Sequence, residues 1–139
     1  VAQKAGADLV MNPEEVDVVE EVRKLTDGYG CDIYIEATGQ PSGVTQGLRM
    51  IRRLGTFVEF SVLRELVTVD WTVIGDTKEL DIRGSHLGPF CYPLAIDLLI
   101  KGQVPVEDIV THSVPLERYL EAIALVHEAK SSIKVMLEP

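Results

Sequence analysis

The chain has 139 residues, of which 46% are hydrophobic and 25% charged, a composition typical of a globular domain and not of a disordered, fibrous or membrane-spanning chain. Its formal net charge of −9 disfavours nucleic acid and anionic membrane surfaces as partners, because both require a basic footprint. The first residues, VAQKAGAD, lack the pattern of a signal peptide, so the expected location is cytoplasmic. Cys31 and Cys91 are too far apart in sequence for a cysteine zinc motif, and we expect two buried thiols.

The first half of the chain alternates short apolar strands with amphipathic helices. Residues 1–5 are typical of the last turns of a helix that ends at Gly6, and residues 8–11 form a candidate strand. Asn12 and Pro13 predict the start of a helix whose apolar repeat continues to residue 25. A second strand is predicted over residues 33–37, and a helix with Ser42 as its N-cap then runs to a break at Gly55. A third strand follows over residues 56–61. This alternation predicts an α/β fold with a parallel sheet and flanking helices.

The second half of the chain does not continue the regular alternation of strand and helix. Residues 67–75, VTVDWTVIG, predict an edge strand or hairpin, and residues 79–85, ELDIRGS, predict one more sheet strand. Further elements are predicted as a helix over 93–102, a strand over 111–114, a helix over 116–126 and a terminal strand over 134–137. A Gly- and Pro-containing turn at residues 86–89 marks the expected domain boundary.

The glycine-rich phosphate loop of dinucleotide-binding folds, G-x-G-x-x-G after a first strand, is absent. Gly28 and Gly30 resemble the first two glycines of this pattern, but they precede a strand, and Ile33 occupies the position of the third glycine. We interpret this segment as the loop that ends a helix.

No catalytic or metal-ligating set is evident from the residues. His86, His112 and His127 are separated by more than ten residues each and have no carboxylate at ligand spacing. We interpret His112 and His127 as structural or surface residues. The G-x-S-x-G elbow of serine hydrolases does not occur. The sequence therefore assigns neither a catalytic residue nor a metal ligand.

Three strand ends carry small or hydroxyl residues, at positions 37–39, 60–62 and 84–86. In an open parallel sheet, ligands bind outside the carboxyl ends of the strands. Each segment alone could be ordinary turn chemistry. Their succession indicates a shared cleft suited to a flat polar ring.

The chain resembles the medium-chain, zinc-dependent alcohol and polyol dehydrogenases, and the sorbitol, threonine and sugar-alcohol branch most of all. The resemblance covers essentially all 139 residues and lies in strings that occur in the family's order: GADLVMNP, CDIYIEATG, QPSGVTQGLRMIRRLGTFVEFS, ELDIRGS, AIDLLIKGQV, IVTHSVPLE and SSIKVMLEP. It implies a C-terminal fragment without the GroES-like domain and without the first part of the cofactor domain. Residues 1–86 would be an incomplete NAD(P)-binding Rossmann domain, and residues 87–139 a C-terminal segment whose helices and strands return to the catalytic domain.

The resemblance also implies which residues contact the cofactor, NAD or NADP, with NAD favoured. Thr38 and Gly39 would lie beside it, and the backbone of Phe60, Ser61 and Val62 would face the nicotinamide amide. Ser85, His86 and Leu87 would line the nicotinamide side. Lys134 would reach a phosphate or ribose. Lys134 has an alternative interpretation as a solvated side chain before the terminal strand.

By the same resemblance, the full-length enzyme would use zinc to oxidise a secondary alcohol of a polyol or similar small molecule, and the fragment alone would be inactive. A homodimer or homotetramer is expected through strands near Thr68 to Gly84, with residues 68–72 pairing across a dimer. The alternative function is a non-catalytic nucleotide-binding or oligomerisation domain.

One topological expectation can be compared directly with the structure. The family's strand order is 3-2-1-4-5-6, and this chain would contain only strands 3, 4, 5 and 6. The strand at residues 8–11 should therefore not pair with the strand at residues 33–37.

Overall fold

The computed structural model describes residues 1–128 and 130–139. They form two compact units: a sheet unit, Met11–Pro89, and a terminal unit, which joins Val1–Val10 to Phe90–Pro139. The functional division after residue 86, between a cofactor domain and a C-terminal segment, stays a prediction. In the described residues, no helix combines the length and apolarity that crossing a bilayer requires.

The sheet unit contains three parallel strands in the order β1-β2-β3 with helices between them. Its elements are α1 (Val18–Leu25), β1 (Cys31–Glu36), α2 (Pro41–Met50), β2 (Ile51–Glu59), a π-helical segment (Val73–Thr77) and β3 (Asp81–Gly84). The predicted α/β fold with a parallel sheet is confirmed.

The core of this unit lies between α2 and the sheet. Val44, Leu48, Ile51 and Phe57 form its buried cluster, and the Tyr34 ring lies 5.3 Å from the Phe57 ring, centroid to centroid. These residues come from the apolar repeat of α2 and from β2, because a helix stripe and a strand face must cover each other.

The helix α1 begins later than the sequence indicates. Asp17 is its N-cap, and the Asp17 carboxylate accepts hydrogen bonds from the backbone N–H groups of Val19 at 3.0 Å and Glu20 at 3.2 Å. Asn12 instead caps a separate turn, where it accepts from the Glu14 N–H at 3.1 Å. The prediction that Asn12 and Pro13 start the helix is therefore wrong.

Residues 1–5 form a single turn that ends at Gly6, as the sequence predicts. The Ala5 N–H donates to the Val1 carbonyl and the Ala7 N–H to the Ala2 carbonyl, both at 3.0 Å, and Gly6 has a φ of +100°.

Two further local predictions are wrong. The N-cap of α2 is Gln40 rather than Ser42, with Pro41 at the first helical position. The helix ends at Met50, and β2 begins at once, so Gly55 lies inside a strand.

The predicted edge strand over residues 67–75 is also wrong from residue 71 onwards, where the chain is helical. The pairing of residues 68–72 across a dimer stays a prediction. The Asp70 carboxylate accepts a hydrogen bond from the Thr72 N–H at 2.9 Å, and the chain turns there into the π-helical segment. Ile74 packs against the core cluster from that segment. Tertiary packing thus overrides the β propensity of the β-branched residues. The next predicted strand is confirmed as β3.

The strand expected at residues 8–11 is not formed. In the described chain, β1 pairs with β2 alone, so the expectation that residues 8–11 do not pair with it is confirmed. An extended segment needs a neighbour to take its backbone hydrogen bonds, and no strand supplies one here. The thiols also differ from expectation, since Cys31 is half-buried and Cys91 is exposed.

Within the terminal unit, residues 90–128 and 130–139 follow the sequence prediction closely. Its elements are α3 (Tyr92–Ile100), α4 (Val106–Ile109), β4 (Val110–Pro115), a 3-10 turn (Leu116–Arg118), α5 (Tyr119–Glu128) and β5 (Lys134–Glu138). The two strands are parallel, with Val114 opposite Leu137, and α5 connects them. Val114 and Ala122 are its buried apolar side chains.

Candidate functional site

The carboxyl ends of β1, β2 and β3 lie side by side. Glu36 is opposite Glu59, and Glu59 is opposite Gly84. The ladder continues beyond the strands, because the Phe60 N–H donates to the Glu36 carbonyl and the Ser85 N–H to the Glu59 carbonyl, both at 3.0 Å. The three loops that follow the strands therefore start at one edge of the sheet, where ligands of open parallel sheets bind.

A buried carboxylate connects the first two loops. The Glu36 side chain has no solvent exposure and accepts hydrogen bonds from the Thr38 N–H at 2.8 Å, the Thr38 hydroxyl at 2.5 Å, the Gly39 N–H at 3.2 Å and the Ser61 hydroxyl. All four partners are donors, which is the environment that an ionised carboxylate requires. Glu36 thereby fixes the loop after β1 to the loop after β2.

The same contacts set the charge of this carboxylate. Burial alone would raise the pKa of Glu36, but the hydrogen bonds from Ser61, Thr38 and Gly39 outweigh it and hold that pKa below its usual range. Glu36 is therefore an anion at neutral pH, and its charge is balanced by oriented N–H and O–H dipoles.

Two glycines make room for this arrangement. Gly39 has a φ of +68°, and a Cβ there would lie 2.8 Å from the Val62 carbonyl oxygen, so the two loops approach backbone to backbone. A Cβ at Gly43 on α2 would lie 2.5 Å from Glu36 Oε1 and 2.8 Å from Thr38 Oγ1. The first turn of α2 therefore packs directly on the carboxylate.

The sheet edge brings together eight of the nine residues predicted to contact a cofactor: Thr38, Gly39, Phe60, Ser61, Val62, Ser85, His86 and Leu87. Val62 and Leu87 are 89% and 88% exposed, so their side chains are open to a ligand. Lys134 lies in the terminal unit at the first position of β5, where it is exposed. The cofactor contacts of all nine residues stay predictions.

Sequence reasoning missed Glu36 and Gly43. A signal for Glu36 was present, because an acidic residue interrupts the apolar run CDIYIEA at a strand end, and a charge in a buried strand must be paired or hydrogen-bonded. The identity of its partners gave no local signal, since Ser61 is 25 residues away.

The described residues do not fit a zinc centre. Within residues 1–128 and 130–139, no three His, Cys, Asp or Glu side chains lie where they could hold a metal ion together. None of these side chains is therefore assigned to a metal.

Comparison with known proteins places these features in a family. The family model described as zinc-binding dehydrogenase matches residues 1–101. The chain is 48% identical to an erythritol/L-threitol dehydrogenase from Mycolicibacterium smegmatis over 139 residues, which are 100% of this chain and 38% of that protein. It is 34% identical to an L-threonine 3-dehydrogenase from Pyrococcus horikoshii, over 99% of this chain and 40% of that protein.

A solved structure agrees with the sequence matches. It is that of a short chain alcohol dehydrogenase from Escherichia coli CFT073 complexed with the cofactor NADH, with a TM-score of 0.82 and 27% identity over 99% of this chain and 40% of that one. The chain thus spans about two fifths of the length of the relatives that it matches. It belongs to the zinc-binding dehydrogenase family.

Proposed function

We propose that this chain supplies the nicotinamide-facing part of the cofactor site in an NAD(P)-dependent, zinc-requiring dehydrogenase that oxidises a secondary alcohol of a small polyol. The observation that carries the proposal is the alignment of three parallel strand ends, the first two of which are joined by the buried Glu36 carboxylate. NAD is the favoured cofactor, and the NADH bound to the related Escherichia coli enzyme supports a nicotinamide ligand.

In this proposal the chain binds and orients the cofactor and does not perform proton chemistry. A bound nicotinamide would supply the hydride acceptor, which is the cofactor's own chemistry. The backbone of Phe60, Ser61 and Val62 would face its amide, and Thr38 and Gly39 would lie beside it. The loop from Ser85 to Leu87 would line the nicotinamide side, and Lys134 would contribute a point charge to a phosphate or ribose.

The described residues have no role in zinc binding in this proposal, because no three of their His, Cys, Asp or Glu side chains could hold a metal ion together. We infer that the 139-residue polypeptide by itself does not turn over substrate. The polyol class rests on the 48% identity to an enzyme named for erythritol and L-threitol.

We further propose a homodimer or homotetramer that uses the surface between residues 68 and 84. The residues of β3 are exposed, β3 is at the edge of its sheet, and Trp71 is 72% exposed. An uncovered strand edge and an exposed tryptophan are both typical of protein interfaces. Light scattering on the natural protein that contains this chain would give its mass, and a monomer would contradict the proposal.

The cofactor site is tested by a pair of leucine substitutions in the natural protein. Leu87→Ala removes a side chain that is 88% exposed, so it should not change the free energy of unfolding, yet it should lower kcat/KM for the cofactor by about tenfold because a nicotinamide contact is lost. Leu66→Ala is the matched control, since Leu66 is 100% exposed and outside the predicted site. Equal cofactor kinetics in both variants would contradict the proposed site.

A further inference from the structure

A second cleft lies at the opposite end of the sheet, where β1 and β2 begin. It has a volume of about 450 Å³, within the range of ligand-binding pockets, and all of its lining residues belong to the sheet unit. Gly30, which precedes β1, and Ile51, the first residue of β2, form part of its wall. It is therefore separate from the strand ends proposed to bind the cofactor.

The cleft is basic in an acidic chain. Five cationic side chains line it, and no aspartate or glutamate does: Arg23, Arg49, Arg52, Arg53 and Lys78. The whole chain has 13 Lys and Arg residues against 22 Asp and Glu residues, for a net charge of −9. Such local concentration of one sign of charge in a concave site focuses a positive potential there.

Three of these cations donate hydrogen bonds to backbone carbonyls at the end of α2 and the start of β2. The Lys78 ammonium donates to the carbonyls of Leu48 at 2.5 Å, Ile51 at 2.6 Å and Arg49 at 3.3 Å. Arg52 donates to the Arg53 carbonyl at 2.7 Å, and its Nε donates to Asp32 at 2.5 Å. The Lys78 ammonium has thus used its three donors and contributes charge to the cleft more than contacts, whereas Arg52 uses two of its five N–H donors and is paired with Asp32.

Arg23 belongs to the same set of three. Its guanidinium lies 3.4 Å from the Arg49 carbonyl, which the Lys78 ammonium also contacts. Burial lowers the pKa of Lys78, and the neighbouring Arg23 charge lowers it further, as expected where cations share a cleft with few acids.

The side chains of Arg49 and Arg53 are different. Both residues are exposed, and their guanidinium groups make no hydrogen bond or ion pair with any described residue. Each guanidinium carries five N–H donors in a planar fork, a geometry that matches the oxygens of a phosphoryl group. The cleft thus contains two guanidinium groups with free donors, next to three cations that are held by hydrogen bonds.

We propose that this cleft binds a small diphosphate-type anion, with Arg49 and Arg53 each binding one phosphoryl group. Two guanidinium groups match two phosphoryl groups, and the concave shape favours a small molecule over an extended chain. The net charge of −9 opposes a nucleic acid as the ligand. The assignment goes beyond the proposed dehydrogenase function, since it concerns the other end of the strands.

The test is isothermal titration calorimetry of inorganic pyrophosphate into the natural protein that contains this chain. We expect saturable binding that the double variant Arg49→Gln, Arg53→Gln weakens by about tenfold or more. Both side chains are exposed and uncontacted, so the thermal unfolding midpoint should not change. Inorganic monophosphate, which occupies one fork, should bind more weakly than pyrophosphate.

The matched control is the double variant Arg83→Gln, Arg118→Gln. It removes the same charge from two exposed arginines outside the cleft, which pair with Asp81 and Glu121. It should leave pyrophosphate binding within about twofold of the parent protein. Absence of saturable binding, equal weakening in the two double variants, or equal affinity for monophosphate and pyrophosphate would each overturn the assignment.

Discussion

At the scale of single residues, Glu36 determines the geometry of the strand ends. A fully buried carboxylate is costly unless it is hydrogen-bonded, and here it accepts four hydrogen bonds from two loops that are distant in sequence. The strand containing Glu36 could be predicted from its apolar residues. The role of Glu36 could not, because its Ser61 partner is brought there only by the parallel pairing of β1 with β2.

Glu36→Gln should therefore destabilise the protein at neutral pH by about 1–3 kcal/mol, because an amide NH₂ would face donors that the carboxylate now satisfies. The pH dependence follows from the lowered pKa of Glu36. Its stabilising contribution is fully present above the usual carboxyl range and is lost as the pH falls through the folded-state pKa, since the unfolded chain binds the proton more readily. Glu36→Gln should thus flatten the acid limb of the stability curve.

Urea denaturation of the parent and the variant between neutral and acidic pH measures both effects. Glu65→Gln is the matched control, because Glu65 is an exposed residue in the loop after β2, and its substitution should change neither quantity. An unchanged acid limb in Glu36→Gln would contradict the assigned charge state.

Gly43 and Gly47 are the residues that allow α2 to pack closely on β1. A Cβ at Gly43 would meet the Glu36 carboxylate, and a Cβ at Gly47 would lie 2.7 Å from Tyr34 Cζ. Alanine favours a helix over glycine by about 1 kcal/mol, but overpacking costs about 1–3 kcal/mol. Each Gly→Ala variant should therefore lose stability.

Gly75→Ala is the control for this pair, since a Cβ at Gly75 meets no atom within 4 Å and its φ is not positive. It should be neutral or stabilising in the same thermal unfolding measurement. A gain in stability for Gly47→Ala would show that α2 and β1 do not pack as described.

At the scale of elements, prediction succeeded where one local pattern and the tertiary packing agree. The apolar runs of β1 and β2, the extended segment that contains β3, and the helical repeats of α3 and α5 were all recognisable in the sequence. The strand prediction over residues 67–75 was wrong because Asp70 starts a helical turn that brings Ile74 to the core, although the local composition favours a strand. The predicted start of α1 was wrong because the sequence offers two capping residues. Asn12 caps a separate turn, and Asp17 caps the helix.

Lys78 provides a prediction at this scale, because its ammonium group caps the carboxyl end of α2. It donates to the Leu48 and Arg49 carbonyls, which lie in the last turn of that helix, and to Ile51, the C-cap residue. Lys78→Met keeps the length of the side chain and removes this donor from the Leu48 and Ile51 carbonyls, while Arg23 still donates to the Arg49 carbonyl. The loss should cost about 1–2 kcal/mol in urea denaturation.

The control is Lys24→Met, which removes an exposed lysine from the last turn of α1. Exposed ion pairs contribute little, so this variant should retain the stability of the parent. Equal stability of the two variants would contradict a capping role for Lys78.

At the scale of the whole molecule, the chain spans about two fifths of its relatives' length, and one face of β1 is exposed although it is apolar. Ile33 and Ile35 point to one face of this strand and are 61% and 58% exposed, whereas strands of parallel sheets usually have both faces covered. The family and the fold could be predicted from ordered strings along the sequence. The cleft with Arg49 and Arg53 could not, because two of its other cations, Arg23 and Lys78, are distant in sequence and are brought there only by the fold.

The central claim is that this chain contributes the cofactor-facing strand ends of a polyol dehydrogenase. Its most direct test is the absorbance of reduced nicotinamide when the natural protein is given zinc, NAD⁺ or NADP⁺, and a panel of small polyols that includes erythritol and L-threitol. We predict reduction of the cofactor with at least one polyol, and none by the 139-residue polypeptide alone. A zinc-loaded natural protein that reduces neither cofactor with any polyol, or turnover by the isolated polypeptide, would contradict the account.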